Sequence, residues 1–244
     1  MSKKRPGVEA SKRLSEVSDC KVWEQVESQF APLLSLALKE EIRDCNKEYD
    51  NLKAKFSADS SKDCISKEEL MAIVRWKFSV GKKRPALMKH LNSNTDKFVK
   101  QCSENAIAHA RSIEASDAWS DDDIKCCINH LTELSGVGPA TASAIVSMIR
   151  PDVFPYMYDE CIDTFLPRRT YTLPVYLEVA KACTQLANEL NGWTTARVAR
   201  VLWVAARVCA SNEGMKDYTL NKSKTLKEET NTPGSRSNKR RRKS

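Results

Sequence analysis

The chain has 244 residues, 41% hydrophobic and 30% charged, a balance that suits one or two small globular domains and excludes a chain disordered throughout. No run approaches the roughly 18 consecutive apolar residues of a membrane span. No apolar stretch follows Met1-Ser2-Lys3-Lys4-Arg5-Pro6, so the reading is an intracellular protein that works away from membranes.

The net charge of +8 belongs mostly to the two ends. Residues 1–13 hold five Lys/Arg against Glu9, and residues 213–244 hold ten against four acids, so the ends carry +4 and +6 and the part between them −2. The division follows: a basic N-terminal tail over 1–13, a helical body over 14–212, and a disordered basic C-terminal tail over 213–244, too poor in apolar residues to order itself. That tail ends in Lys239-Arg240-Arg241-Arg242-Lys243, a run that fits a nuclear import signal and places the protein in the nucleus, a plain solubilising tail being the alternative. Within the body, residues 71–101 gather Arg75, Lys77, Lys82, Lys83, Arg84, Lys89, Lys97 and Lys100 against Asp96 alone. A basic face is expected there.

Along the body, apolar residues recur at helical spacing and strict alternation is nearly absent, which predicts an all-α fold. Helices are expected over 19–30 and 33–55, broken at Pro32. Ser66-Lys67-Glu68-Glu69 is a capping box opening a helix with Leu70, Ile73, Val74 and Phe78 inward and its end at Gly81; Pro85 starts a short one after it. The helix over 96–115 should bury Phe98, Val99, Cys102, Ile107 and Ala108. Ser120 with three following aspartates caps a helix running to Leu134, and two more cover 174–190 and 195–210, the last with Val198, Val201, Leu202, Val204, Ala205 and Val208 inward. Nine cysteines without any C-x-x-C spacing predict reduced thiols and no metal site, and His90, His109 and His130 stand alone.

The segment Leu134-Ser135-Gly136-Val137-Gly138-Pro139-Ala140-Thr141-Ala142 joins two of these helices, so the hairpin as a whole covers about 122–149. Its glycines allow a tight turn, Pro139 starts the second helix, and the exposed amides of Ser135, Gly136, Val137, Gly138, Ala140 and Thr141 suit a phosphate. An ordinary helical hairpin in a bundle is the plain alternative.

This stretch resembles the hairpin of the helix-hairpin-helix (HhH-GPD) DNA glycosylase superfamily, through Leu134, Gly136, Val137, Gly138, Thr141 and Ala142. By motif the resemblance spans Asp121 to Leu166, and it extends over 14–212 if the remaining helices form that family's two-lobed fold. It implies binding of double-stranded DNA by the hairpin, some members holding a monovalent cation there, and no other cofactor. It also implies a catalytic aspartate about twenty residues on, where Asp159 stands. Ala140 replaces the Schiff-base lysine of bifunctional members, only the aspartate survives in Tyr158-Asp159-Glu160-Cys161, and the cysteines of an iron–sulfur loop are missing.

On this reading a flipped nucleotide enters between the lobes and Asp159 stabilises charge at C1′, giving monofunctional base excision without a lyase step. Asp159 as a helix N-cap is the simple alternative, and Glu160 and Asp163 are expected on the solvated side. Trp76, Tyr156 and Tyr158 stack on the extruded base or else anchor the core. Lys82, Lys83 and Arg84 form a phosphate-contacting loop or a solvated charge run. The competing function is a catalytically inactive module that kept this fold to bind DNA or a nuclear protein partner.

Overall fold

The computed structural model describes residues 7–36, 40–112 and 119–211, and among them it shows twelve helices and no strand, so the all-α expectation holds there. The expected import signal at 239–243 and the C-terminal tail lie outside the described residues.

The helices sort by contact into two groups. One contains α1 (Val8–Ser15), α2 (Cys20–Ser28), α3 (Phe30–Leu36), α10 (Asp159–Phe165), α11 (Leu173–Glu189) and α12 (Thr195–Ser211). The other is α4 (Glu40–Ala58), α5 (Lys67–Val80), α7 (Asp96–Ser112), α8 (Asp121–Thr132) and α9 (Pro139–Ile149), a stretch that also contains the short α6 (Ala86–Asn92), whose His90 and Leu91 lie beside Gly136. The N-terminal segment thus closes onto the C-terminal helices, and everything between builds the second group.

Helix α1 corrects the expected boundary at residue 13. Gly7 stands at its start with φ +91°, where a Cβ would overlap the Ala206 carbonyl, so glycine alone lets α1 close onto α12. Ser11 and Leu14, three residues apart, are buried against α10 and α12, and Thr164 donates to the Ser11 hydroxyl at 2.8 Å. Its basic residues lie on the outer face, and composition alone does not reveal so short an inner one.

The capping box expected at Ser66 forms, and the cap expected at Ser120 is also a full box. Ser66 and Glu69 satisfy each other's amides at the start of α5, and Ser120 and Asp123 do the same for α8. Gly81 ends α5, as expected. Pro32 does not break a helix: it sits in the first turn of α3, where its missing amide has no partner to lose, and the break falls at Gln29. In α7 the inward stripe is Val99, Cys102, Ser103, Ala106, Ile107 and Ala110; Phe98, 37% exposed, and Ala108 flank it on the solvent side.

Helix α9 is the centre of the molecule. Every residue from Ala140 to Met148 is buried, as befits a helix of small and apolar residues, with α4, α5, α7, α8 and α11 packed around it. Tyr49 of α4 donates to its Ala144 carbonyl at 2.7 Å. Trp203 of α12 donates to Val80 at the end of α5 (3.1 Å), tying the two groups together.

Candidate functional site

Where α5 stops, the chain runs through the exposed residues 81–86 into α6, and α6 supports the turn between α8 and α9. Gly136 lies in that turn with φ +79°, and a Cβ there would press on His90 and Leu91, so this glycine is required twice over. Gly138 is extended and faces open space, so its role is to leave room rather than to turn the chain.

The turn's hydrogen bonds decide which amides remain available. Ser135 N–H donates to Asn94 Oδ1 at 2.9 Å, and Ser135 O accepts from the same side chain. Val137 donates to Leu134 O and its side chain is buried; Thr141 donates to Gly138 O. The amides of Gly136, Gly138 and Ala140 are left without an acceptor among the described residues. Of the expected phosphate contacts, Ser135, Val137 and Thr141 therefore have their amides engaged inside the protein.

Opposite this turn, residues 150–158 return beneath α9, held by Met157 N–H donating to Ser143 Oγ at 3.1 Å. They deliver Asp159 to the first position of α10. Tyr158 is the N-cap and no side-chain cap forms, so capping is not the role of this carboxylate. Asp159 Oδ2 accepts from Arg169 Nη1 at 2.5 Å and Oδ1 from the Tyr171 hydroxyl at 2.8 Å. Arg169 also pairs with Asp163, and the Arg84 guanidinium lies 4.7 Å from the Tyr171 ring centre.

These parts enclose a cavity of about 160 Å³ between the two helix groups. Its wall includes Lys82, Arg84, Gly136, Gly138, Ala140, Thr141, Tyr156 and Asp159, so most of the residues singled out in the sequence meet in one place. Lys83 is exposed but does not line it.

Trp76 and Tyr158 fall behind the wall. Both are buried, in a cluster where Trp76 stacks on Tyr49 at 3.7 Å with planes 4° apart and Tyr158 packs edge-on against Tyr156 at 4.4 Å. They border a second cavity of about 270 Å³, which Tyr156 separates from the first. Their packing matches the core-anchor alternative. Burial also pushes the Tyr156 and Tyr158 hydroxyls well above their ordinary range, so they stay neutral.

Glu160 and Asp163 are not on the solvated side. Both side chains are largely buried, Glu160 paired with Arg207 at 2.8 Å and Asp163 with Arg169, because α10 is covered by α1, α11 and α12. Burial raises Glu160, against the pull of Arg207.

Three residues of the site escaped the sequence reading: Lys77, Arg169 and Tyr171. Lys77 carried a signal, since it continues the inward stripe of Leu70, Ile73 and Val74. Its Nζ donates to Thr141 Oγ1 at 2.7 Å, in the wall of the smaller cavity. Burial, with Arg84 nearby and against the attraction of Asp159, brings it down to about 8. Arg169 and Tyr171 sit in the short link between α10 and α11, and no spacing pointed to them.

Comparison of the chain with protein-family models, curated proteins and solved structures finds no match.

Proposed function

We propose that this protein binds duplex DNA through the hairpin and the 82–84 loop, takes one extruded nucleotide into the smaller cavity, and cleaves its glycosidic bond with Asp159. The observation that carries the reading is the meeting, in one cleft, of open hairpin amides, two cationic side chains and a carboxylate fixed on both oxygens. Phosphates suit the amides and cations at the rim. A carboxylate held by Arg169 and Tyr171 is preorganised, so it stabilises positive charge developing at C1′ without rearranging. With Ala140 at the hairpin, no amine comes from that element.

A second reading rests on the same contacts. Arg169 and Tyr171 engage both oxygens of Asp159, as in a purely structural ion pair, which suits a binding module for DNA or a nuclear protein without chemistry. Base release from duplexes carrying a panel of damaged and mismatched bases separates the two. We expect release by the full chain and a loss of at least about 100-fold in Asp159→Asn, in line with loss of one preorganised electrostatic group. Equal release by the variant rejects Asp159 as the acting carboxylate; no release from any duplex favours the binding module.

A further inference from the structure

The charges around the smaller cavity do not balance. Lys77, Lys82 and Arg84 bring three positive charges to its wall. Asp159 is the one carboxylate among its lining residues, and it shares Arg169 with Asp163, so those three groups together carry −1. Glu160, next in the chain, is matched by Arg207. The wall is therefore left with about two positive charges that no described residue offsets. Lys77 feels this most. Buried ammonium groups are ordinarily paired with a carboxylate, because removing an unpaired charge from water is costly. Here Nζ donates to the neutral hydroxyl of Thr141, and no carboxylate lies within ion-pair distance among the described residues. Burial, with the repulsion of Arg84, brings it down only to about 8, so about nine molecules in ten still carry the charge near pH 7.

Such a wall suits an anion that arrives with the ligand, and its depth says which kind. Lys82 and Arg84 are exposed at the rim, whereas Lys77 is more deeply set, on α5 and against Thr141 of α9. An internal backbone phosphate carries one negative charge and has chain on both sides, so it meets the rim and leaves positive charge over. A terminal phosphate monoester carries about −1.5 to −2 near pH 7 and offers three strong acceptor oxygens. It also has chain on one side only, so it can point inward. We propose that the smaller cavity receives the terminal phosphate of a broken DNA strand, held by Lys77, Lys82 and Arg84, with Thr141 orienting the amine. The inference rests on the proposed DNA-binding role of the cleft but not on base excision by Asp159.

The preference for an end comes from the cations. The amides of Gly136 and Gly138 serve an internal and a terminal phosphate alike, since either presents an acceptor oxygen. Only the second charge and the third oxygen of a monoester match what Lys77 adds behind the rim. A purely structural lysine is a poor explanation, because Ile73 and Val74 are buried on the same stripe and an apolar side chain would pack there without a desolvated charge. Asp159 does not stand in the way: Arg169 and the Tyr171 hydroxyl engage both of its oxygens. The protein thereby reads breaks in a strand as well as intact duplex.

The test uses the full chain and three duplexes of one sequence: intact, with a short gap whose ends carry phosphates, and with the same gap ending in hydroxyls. Affinities are compared at one salt concentration, so the basic ends of the chain contribute equally to all three. We expect the phosphate-ended gap to bind at least about tenfold more tightly than the hydroxyl-ended one, in line with charge-assisted hydrogen bonds to a phosphate. In Lys77→Met the ratio between the two gaps should fall toward one, and in Lys77→Arg part of it should remain. Inorganic phosphate, at ionic strength held constant with chloride, should displace the phosphate-ended gap more readily than the intact duplex. The comparison of ends is read on the unmodified chain, so it stands even where a variant folds poorly. Equal affinity for the two gaps, or a preference that survives in Lys77→Met, overturns the proposal, while binding of the intact duplex leaves the DNA-binding reading in place. Displacement of every duplex alike by phosphate makes this a site for the free anion and overturns the assignment to strand ends. Failure to bind any duplex overturns both readings.

Discussion

The two cavities on either side of Tyr156 are built from the same kinds of residue, yet their charges are settled differently. Around the larger one, Arg197 and Arg200 of α12 both end on Glu27 of α2, at 2.6 and 2.5 Å, and Lys53 approaches Asp50 at 3.6 Å. Asn46 accepts from Trp76, and Tyr49 donates to a backbone carbonyl. Burial opposes ionisation of Glu27, but the hydrogen bonds from Arg197 and Arg200 prevail and hold it below the ordinary carboxylate range. Around the smaller cavity the carboxylate is fixed by Arg169 and Tyr171, and the amine beside it bonds Thr141 Oγ1 with no carboxylate in ion-pair distance among the described residues. The first arrangement is that of a staple between helices. The second leaves a cation at a cavity wall with a neutral hydroxyl as its partner.

The sharpest way to break this comparison is Trp76→Ala. If the aromatic wall is structural, removing a 3%-exposed ring that stacks on Tyr49 costs about 3–5 kcal/mol of stability, read as a fall in the urea midpoint. Binding of an abasic-analogue duplex should then be preserved per folded molecule. Unchanged stability with lost binding would move the ligand's aromatic platform to the larger cavity and reverse the assignment.

Lys77→Met sharpens it from the other side. Because Lys77 is lowered from 10.5 to about 8, the unfolded chain holds its proton more tightly than the folded one, so stability rises with pH between those values. Below pH 8 the buried charge works against folding, and the methionine variant should be the more stable by about 2 kcal/mol after allowing for the Thr141 hydroxyl it leaves unpaired. That advantage should shrink as pH rises toward 10. Buried thiols and tyrosines also add a pH dependence in this range, because they ionise there only once unfolded, Cys127 being raised to about 12 in the fold, but they are common to both proteins and cancel in the difference. Asp159, Arg84, Tyr156 and Tyr171 share the cavity with the amine in both proteins. A constant gap between variant and parent from pH 7 to 10 would mean that Lys77 is not held as described.

Much of the scaffold was legible because its signals are local. The capping box at Ser66, the cap at Ser120, the stop at Gly81 and the stripes of α5 and α12 follow from hydrogen-bonding capacity and a 3.6-residue period, which act within a few residues. Pro32 misled because proline reads alike at a helix break and in a first turn. Asp159, the hairpin glycines and the 82–84 loop pointed to one cleft, since each announces itself by residue type. Glu160 and Asp163 did not behave as exposed acids, because the cations that receive them, Arg207 and Arg169, come from a distant helix and from the next link. Lys77 was hidden in plain view: counted as one charge of a basic stretch, it sits at an apolar position of its helix, and only the fold shows that position turning toward a cavity.

The smallest expected effect concerns the rim. Lys82 and Arg84 line the cavity beside the open amides, whereas Lys83 between them does not. If the loop meets DNA phosphates, each cation displaces one condensed counterion, contributing about 0.9 to the slope of log affinity against log salt. The Lys82→Ala/Arg84→Ala double variant should therefore bind the analogue duplex with a slope shallower by about 1.8. Lys83→Ala should change it by less than either single variant. The basic ends of the chain contribute equally to every protein in this series, so they raise all the slopes without altering the differences. Equal slopes for all the variants would detach the loop from the DNA and leave the hairpin amides as the only phosphate contacts of the cleft. A larger effect from Lys83 would instead mean that the strand crosses the outer face of the loop rather than entering between the two helix groups.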